Sequence, residues 1–103
     1  MRLEHYSINK LEREILAIIG KYLDLNSYKV FFFGSRVTGK GSERSDIDVG
    51  IEGPQKISAN DLLAIQEEVD KIPTLYKIEI VDFNQVAPIF RKVAIQSISF
   101  LRS

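Results

Sequence analysis

The fold is decided by residues 28–51, which read YKVFFFGSRVTGKGSERSDIDVGI. Two apolar runs flank a polar segment in this stretch. The first run, residues 28–33, is rich in β-favouring side chains and ends at a glycine, which is typical of a buried central strand. The second run, residues 46–51, alternates acidic with branched apolar residues and predicts another strand. Because side chains alternate across the pleat, Asp46 and Asp48 point to the same face.

The closeness of these two aspartates needs a physical explanation. Two anions held together repel, and the usual result is a raised proton affinity on one of them or a bound cation. Burial beside isoleucine and valine makes two acids costly without a compensating cation, and magnesium binds carboxylates together with phosphate oxygens and water. We therefore interpret Asp46 and Asp48 as ligands of magnesium. The alternative is a solvated strand face that follows a turn at Ser45.

The turn after the first strand has the composition of a phosphate site. A glycine at a strand end, Gly34, lets the backbone turn sharply and approach a ligand, and a helix start that follows offers unpaired amide N–H groups. Ser35 adds a hydroxyl. Basic side chains further along could surround a polyphosphate, although glycine and serine taken alone are more often plain turn residues. The basic residues are Arg36, Lys40 and Arg44.

A third carboxylate would complete a two-metal site, in which ions about 3.5–4 Å apart stabilise both the attacking and the leaving oxygen. A third strand is predicted over residues 75–83, and it offers two acids. Glu79 lies between two isoleucines and faces away from them, whereas Asp82 has the opposite parity near the strand end. Strand periodicity alone leaves open which of the two reaches the metal.

The remaining elements are predicted from helical periodicity and capping residues. A helix between the second and third strands favours a parallel crossover. The chain is therefore expected to form one α/β or α+β domain, residues 1–103, around a small, mixed and mostly parallel sheet. The predicted elements are a helix over residues 8–23 capped by Ser7, a helix from Ser58 to before Pro73, a helix over residues 86–95 capped by Asn84, a weak edge strand over residues 97–101, and a short helical turn after Gly34.

Composition limits the classes of function. Fourteen basic residues balance fourteen acidic ones, so we expect no extended nucleic-acid surface and no attraction to a membrane. The chain has no cysteine, which excludes thiolate metal sites and thiol nucleophiles. Without a hydrophobic signal segment or membrane span in the sequence, we expect a cytoplasmic protein. Hydrophobic residues make up 45% of this small chain, which favours an apolar surface for a partner.

The order of these motifs resembles a known family. FGSRVTGKG with SDIDV, followed by YKIEIVDF, is similar to the minimal nucleotidyltransferases of the DNA polymerase beta superfamily, over residues 28–95. The resemblance implies a polymerase-beta-like fold and transfer of a nucleoside monophosphate to an acceptor hydroxyl, with release of pyrophosphate. AMP from ATP is the expected case, and the acceptor stays open. The resemblance further implies that Gly34 and Ser35 hold the triphosphate and that Asp46 and Asp48 ligate two Mg²⁺ ions.

The same resemblance aligns Glu79 with the family's third catalytic and metal-binding acid, which is usually aspartate, and Asp82 with the second acid of that segment. Glutamate keeps the charge but adds a methylene, and an error near 1 Å at a reacting centre costs on the order of a hundredfold in rate. Two functions follow: an active transferase, or a silent nucleotide- or partner-binding subunit that neutralises a helical toxin. Relatives commonly pair with a helical HEPN-domain protein, and a homodimer fits equally. The apolar residues expected to contact a partner are Ile89, Phe90, Val93, Ile98, Phe100 and Leu101.

Overall fold

The computed structural model describes residues 6–34, 46–95 and 98–101. The predicted succession of helices and strands is confirmed, and most elements are a few residues shorter than predicted because the ends of the apolar runs lie in turns. The predicted helical turn after Gly34 lies outside the described residues. Along the chain the elements are α1 (Ile8–Ile19), β1 (Lys29–Phe33), β2 (Ile47–Glu52), α2 (Ala59–Val69), β3 (Ile78–Asp82), α3 (Pro88–Ala94) and β4 (Ile98–Phe100).

The four described strands form one mixed sheet in the order β3-β2-β1-β4. The fold class is confirmed, but the sheet is not mostly parallel. Strand β1 pairs antiparallel with both β2 and β4, and among the described pairings only that of β2 with β3 is parallel. Parallel neighbours need a crossover connection, whereas antiparallel neighbours can be joined directly. The crossover through α2 sets the direction of β3 relative to β2, and it does not set the direction of the other strands.

The first two helices begin at the serine caps that the sequence predicts. Ser7 Oγ accepts a hydrogen bond from the Lys10 N–H, and Ser58 Oγ accepts one from the Asp61 N–H. Helix α1 ends earlier than predicted, because the chain leaves the helix at Gly20. Within the described part of the chain, no helix is long and apolar enough to cross a membrane.

The predicted cap of the last helix is wrong. Helix α3 begins after Ala87, which makes no side-chain cap bond, and Pro88 occupies the first turn. Proline suits that place because its fixed φ is helical and its missing N–H would have no partner there. Asn84 instead stabilises the turn after β3: its N–H donates to Asp82 Oδ1, and its side-chain amide donates to the Gly53 carbonyl.

Helices α1 and α2 pack on one face of the sheet, and this side holds the main core. Alternate residues of each strand point toward the helices, and full burial of one aliphatic side chain contributes about 1.5–3 kcal/mol. The alternation in β2 agrees with the prediction, because its apolar residues face this core. The core includes Leu11, Ile15 and Ile19 from α1, Ile65 and Val69 from α2, and Val30, Phe32, Ile47, Val49, Ile51, Ile78 and Ile80 from the strands.

The opposite face of the sheet is aromatic. Phe31, Phe33 and Phe83 form a second buried cluster, with ring centroids 4.8–6.3 Å apart in tilted or edge-on contacts. Gly50 lies beneath the rings, and a Cβ there would approach a ring carbon of Phe31 to 2.4 Å. Helix α3 covers this cluster in part: Phe90 contacts it and is still 45% exposed. The sheet therefore has one closed face and one partly open face.

Candidate active site

The parallel pairing of β2 with β3 brings two acids side by side. Asp48 and Glu79 are register partners, and neighbouring strands lie about 4.8 Å apart. Both residues lie on the partly open face, because their strand neighbours point into the main core. Asp46 is exposed and immediately precedes β2. The Ile47 N–H donates to the Lys77 carbonyl at 2.9 Å, which holds the start of β2 against the start of β3.

Strand β1 ends against the carboxylate of Asp48. Phe33, its last residue, is the register partner of Asp48. The next residue, Gly34, has a φ of +87°, in the left-handed region that favours glycine. A Cβ at Gly34 would lie 2.5 Å from Asp48 Oδ2. The backbone at the predicted phosphate turn therefore contacts the predicted metal ligand, and no larger side chain fits between them.

The surroundings of Asp48 raise its pKa above the ordinary value of 3.8, and burial is the main cause. The negative charge of Glu79 raises the pKa further, and that of Asp46 adds to it. Asp48 is half-buried, whereas the other two acids are exposed. The charges of Glu79 and Asp46 thus both act on Asp48, and a bound cation would relieve this repulsion.

The chemistry of these acids fits a magnesium site that a substrate completes. Magnesium is usually held by one or two carboxylates together with substrate phosphates and water. Among the residues that the structure describes, no three His, Cys, Asp or Glu side chains stand close enough to form a metal-binding group by themselves. Asp48 and Glu79 therefore fit a site that phosphate oxygens complete, rather than an all-protein cage.

Asp82, the other candidate for the third acid, has a different role. It is 4% exposed and belongs to the helix-covered side of β3. Its carboxylate accepts hydrogen bonds from the Ile57 N–H at 2.7 Å, the Asn84 N–H at 2.9 Å and the Gln85 side-chain amide at 2.8 Å. These bonds tie the segment before α2 to the turn after β3. Of the two candidates, only Glu79 faces the acid of β2.

The predicted triphosphate site lies only partly within the described residues. Gly34 is described, and its backbone contacts Asp48. The other predicted phosphate ligands lie outside the described residues, so their part in binding stays a prediction. These ligands are Ser35, Arg36, Lys40 and Arg44.

Gln66 of α2 is a residue of this region that sequence reasoning missed. Its side-chain amide bonds the backbone on both sides of Glu79. Gln66 Nε2 donates to the Ile78 carbonyl at 2.8 Å, and Gln66 Oε1 accepts from the Ile80 N–H at 2.9 Å. The available signal was a polar residue within the apolar stripe of α2, three positions before the buried Val69.

The apolar residues predicted to face a partner divide into two groups. The prediction is wrong for Leu101, which is buried with the main core and whose N–H donates to the Val30 carbonyl. Ile98 is partly buried against the aromatic cluster. Both residues are covered because the tail pairs with β1 instead of lying free. The other four are exposed, by 70%, 45%, 62% and 48% respectively: Ile89, Phe90, Val93 and Phe100.

The chain matches the family described as polymerase beta, nucleotidyltransferase, over residues 13–102. The match spans most of the 103 residues. The chain belongs to this family. No curated protein matches it in sequence.

Several solved structures share the fold of this nucleotidyltransferase domain. One is a toxin–antitoxin with AMP-PNP, with a TM-score of 0.72, 14% identity, and coverage of 89% of this chain and 73% of that chain. Another is a tri-AMPylated Shewanella oneidensis HEPN toxin in complex with an MNT antitoxin, with a TM-score of 0.69, 11% identity, and coverage of 93% and 73%. A mutant toxin–antitoxin pair has a TM-score of 0.71, 12% identity, and coverage of 89% and 73%. These similarities confirm the polymerase-beta-like nucleotidyltransferase fold.

Proposed function

We propose that the chain is a magnesium-dependent nucleotidyltransferase that transfers AMP from ATP to an acceptor hydroxyl and releases pyrophosphate. The observation that carries the proposal is that residues from three strands lie next to one another. Asp48 of β2 lies beside Glu79 of β3 and against the backbone of Gly34 at the end of β1. Membership of the family supports the reaction class, and a toxin–antitoxin of similar fold was solved with AMP-PNP.

Each acid has a distinct role in this proposal. Asp46 and Asp48 would hold two Mg²⁺ ions, and Glu79 would be the third carboxylate ligand. When bound, the ions neutralise the triphosphate and make the hydroxyl more acidic. Gly34 and Ser35 hold the triphosphate through backbone N–H groups and a hydroxyl.

The reaction is a displacement at the α-phosphorus. The oxygen of the acceptor hydroxyl forms a bond to this phosphorus, while the bond to the oxygen that bridges the α- and β-phosphates breaks and pyrophosphate leaves. The hydroxyl proton passes to the carboxylate of Glu79. Arg36, Lys40 and Arg44 stabilise the negative charge that develops on the departing pyrophosphate.

Label transfer from α-³²P-ATP tests this function. The chain is incubated with Mg²⁺ and with the helical protein encoded by the neighbouring gene. We expect label on the acceptor protein, lost with EDTA and lost in the Asp48→Asn variant. The matched control is Glu67→Gln on the exposed side of α2, which changes the net charge equally and leaves the site intact. Absence of label with the wild type, or equal labelling with Asp48→Asn, contradicts the proposal.

A catalytically silent subunit that neutralises a helical toxin is the second candidate. The glutamate at the third acid position favours it, because the extra methylene changes where the carboxylate lies. The Glu79→Asp variant separates the two candidates. If the wild type does not transfer label and Glu79→Asp does, the natural chain is silent. If toxin neutralisation requires both Asp46 and Asp48, binding alone does not explain the function.

The partner proposed for either candidate is a HEPN-type helical protein. A similar fold was solved as an MNT antitoxin in complex with a HEPN toxin. The exposed apolar residues of α3, Ile89 and Val93 among them, offer a contact surface. Sedimentation of the chain alone and with the partner distinguishes a heteromeric complex from a homodimer. A variant with both residues changed to serine is expected to weaken the complex, and unchanged sedimentation of that variant with the partner would exclude this surface.

A further inference from the structure

We infer that Gln66 is the positioning residue that fixes the backbone of Glu79, an inference that rests on the proposed function. Among the described strands, β3 lies at one edge of the sheet, and none of them pairs with its outer backbone groups. Gln66 reaches across from α2 and bonds two of them, the Ile78 carbonyl and the Ile80 N–H. In a parallel ladder, a residue on one strand forms hydrogen bonds to the carbonyl of the residue before its register partner and to the N–H of the residue after that partner. The side-chain amide of Gln66 makes this pair of bonds around Glu79.

The orientation of the Gln66 amide is fixed by a third bond. Its Nε2 also donates to Asp70 Oδ1 at 2.9 Å, one helical turn further along α2. Two donors and one acceptor of the amide are thus used at 2.8–2.9 Å, each with a partner of the right kind. A flipped amide would set like groups against each other at all three contacts. Gln66 therefore holds β3 in a single arrangement relative to α2.

This support matters because Asp48 and Glu79, two of the three acids of the site, differ in their backbone environment. Asp48 lies on β2, which pairs with a strand on each side. Glu79 lies on β3, which pairs with β2 on one side, and Gln66 supplies bonds on its other side. The glutamate side chain is also longer and has more rotamers than aspartate. A displacement near 1 Å at a reacting centre costs on the order of a hundredfold in rate, so the backbone under this side chain has to be held.

A plain structural bridge between α2 and β3 would make the same hydrogen bonds. The two roles differ in one measurable respect. If Gln66 acts through the Glu79 carboxylate, then removing that carboxylate removes the effect of Gln66 on metal binding. If Gln66 only stabilises the packing of α2, the two changes act independently.

A double-mutant cycle on Mn²⁺ binding makes this comparison. Binding is measured by electron paramagnetic resonance in the presence of a non-hydrolysable ATP analogue, for the wild type, Gln66→Met, Glu79→Gln and the double variant. We expect Gln66→Met to weaken Mn²⁺ binding about tenfold, as loss of a partner that orients a metal ligand does. In the Glu79→Gln background, Gln66→Met should have no further effect. Amide exchange at Ile80 should rise in Gln66→Met, because its N–H loses an acceptor.

The controls separate the possible failures. Val69 is buried on the same helix, and Val69→Ala should lower stability while keeping the hydrogen bonds between Gln66 and β3. This variant should leave Mn²⁺ binding unchanged. If Gln66→Met does not fold, Gln66→Glu replaces it, because a carboxylate cannot donate to the Ile78 carbonyl. Binding that is unchanged in the Gln66 variant, or effects that simply add, overturns the inference while the proposed function stands. No Mn²⁺ binding by the wild type, or no loss in Glu79→Gln, overturns the proposed function and this inference with it.

Discussion

Asp48 and Asp82 are aspartates of neighbouring parallel strands, and their carboxylates have opposite surroundings. Asp82 is almost fully buried and accepts three hydrogen bonds. Asp48 is half-buried, and its pKa is raised by burial and by the charges of Glu79 and Asp46. One carboxylate is satisfied by the protein itself. The other is left at a cost in stability, which is typical of a group that binds a ligand.

The two faces of the sheet show the same difference on a larger scale. The helix-covered face is closed by α1 and α2 around aliphatic residues, and Asp82 belongs to that side. The other face carries the aromatic cluster, is only partly covered by α3, and holds the acids of the candidate site. The main aliphatic core therefore lies on one face, and the acids of the candidate site lie on the other.

The largest effect is expected on activity. Asp48→Asn removes the carboxylate on which the three strands converge, and we expect label transfer from ATP to fall by roughly a hundredfold to a thousandfold, the effect of losing a major electrostatic group at a reacting centre. Asp82→Asn should change the rate little in protein that remains folded. A comparable loss in both variants would show that the two aspartates do not differ in function.

The next effect is expected on stability. Asp82→Ala leaves the buried Ile57 N–H without its acceptor and unties the turn after β3. We expect the free energy of unfolding to fall by about 2–4 kcal/mol, measured by urea denaturation. The exposed Asp24 accepts bonds within its own turn, so Asp24→Ala serves as a control with a smaller expected loss. A change below about 0.5 kcal/mol for Asp82→Ala would contradict its structural role.

Gly34→Ala should affect both properties at once. A residue with a Cβ in the left-handed region costs roughly 1–2 kcal/mol, and this Cβ would strike the Asp48 carboxylate. We expect lower stability in urea together with weaker binding of Mn²⁺ and nucleotide. Gly20→Ala, at a φ of −63°, is the matched control: its Cβ would lie 3.1 Å from the Leu16 carbonyl oxygen and far from the acids of the site, so binding of Mn²⁺ and nucleotide should be unchanged. Normal nucleotide binding by Gly34→Ala would show that this turn is not part of the nucleotide site.

Local sequence signals predicted the parts of this structure that depend on local rules. The serine caps of two helices follow from hydrogen bonding within one turn, and the shared face of Asp48 with its neighbours follows from strand periodicity. The same reasoning could not choose between Glu79 and Asp82. That choice depends on which face of the sheet the helices cover and on the register between β2 and β3, which the sequence of one strand does not contain.

Features that depend on distant contacts were missed for the same reason. Leu101 is buried because β4 pairs with β1, a contact between residues far apart in sequence. Gln66 gains its role only once α2 lies beside the edge of β3. Asparagine is a common helix cap, yet a hydrogen bond from the Asn84 side chain to the Gly53 carbonyl holds this residue in a turn. In each case a tertiary contact competes with a local preference and determines the outcome.

The smallest effect concerns the stability of Asp48→Asn. The pKa of Asp48 is raised in the folded protein, so folding favours its protonated form. The stability that protonated Asp48 contributes is fully present below its ordinary pKa of about 3.8, and it is lost as the pH rises through the folded-state pKa. The ionised carboxylate therefore destabilises the fold at neutral pH. We expect Asp48→Asn to raise the melting temperature at pH 7 by about 2–4 °C, because the group is only half-buried, and to give no increase below pH 3.8.

The control for this effect is a variant of equal charge change at an exposed position. Glu67→Gln on α2 should leave the melting temperature nearly unchanged at pH 7. Adding Mg²⁺ and ATP should reverse the order of wild type and Asp48→Asn, because ligand binding stabilises only the chain that keeps its carboxylate. A melting temperature for Asp48→Asn below that of the wild type at pH 7 without ligand would mean that the carboxylate stabilises the fold. Asp48 would then resemble Asp82, and the division between the two faces would not hold.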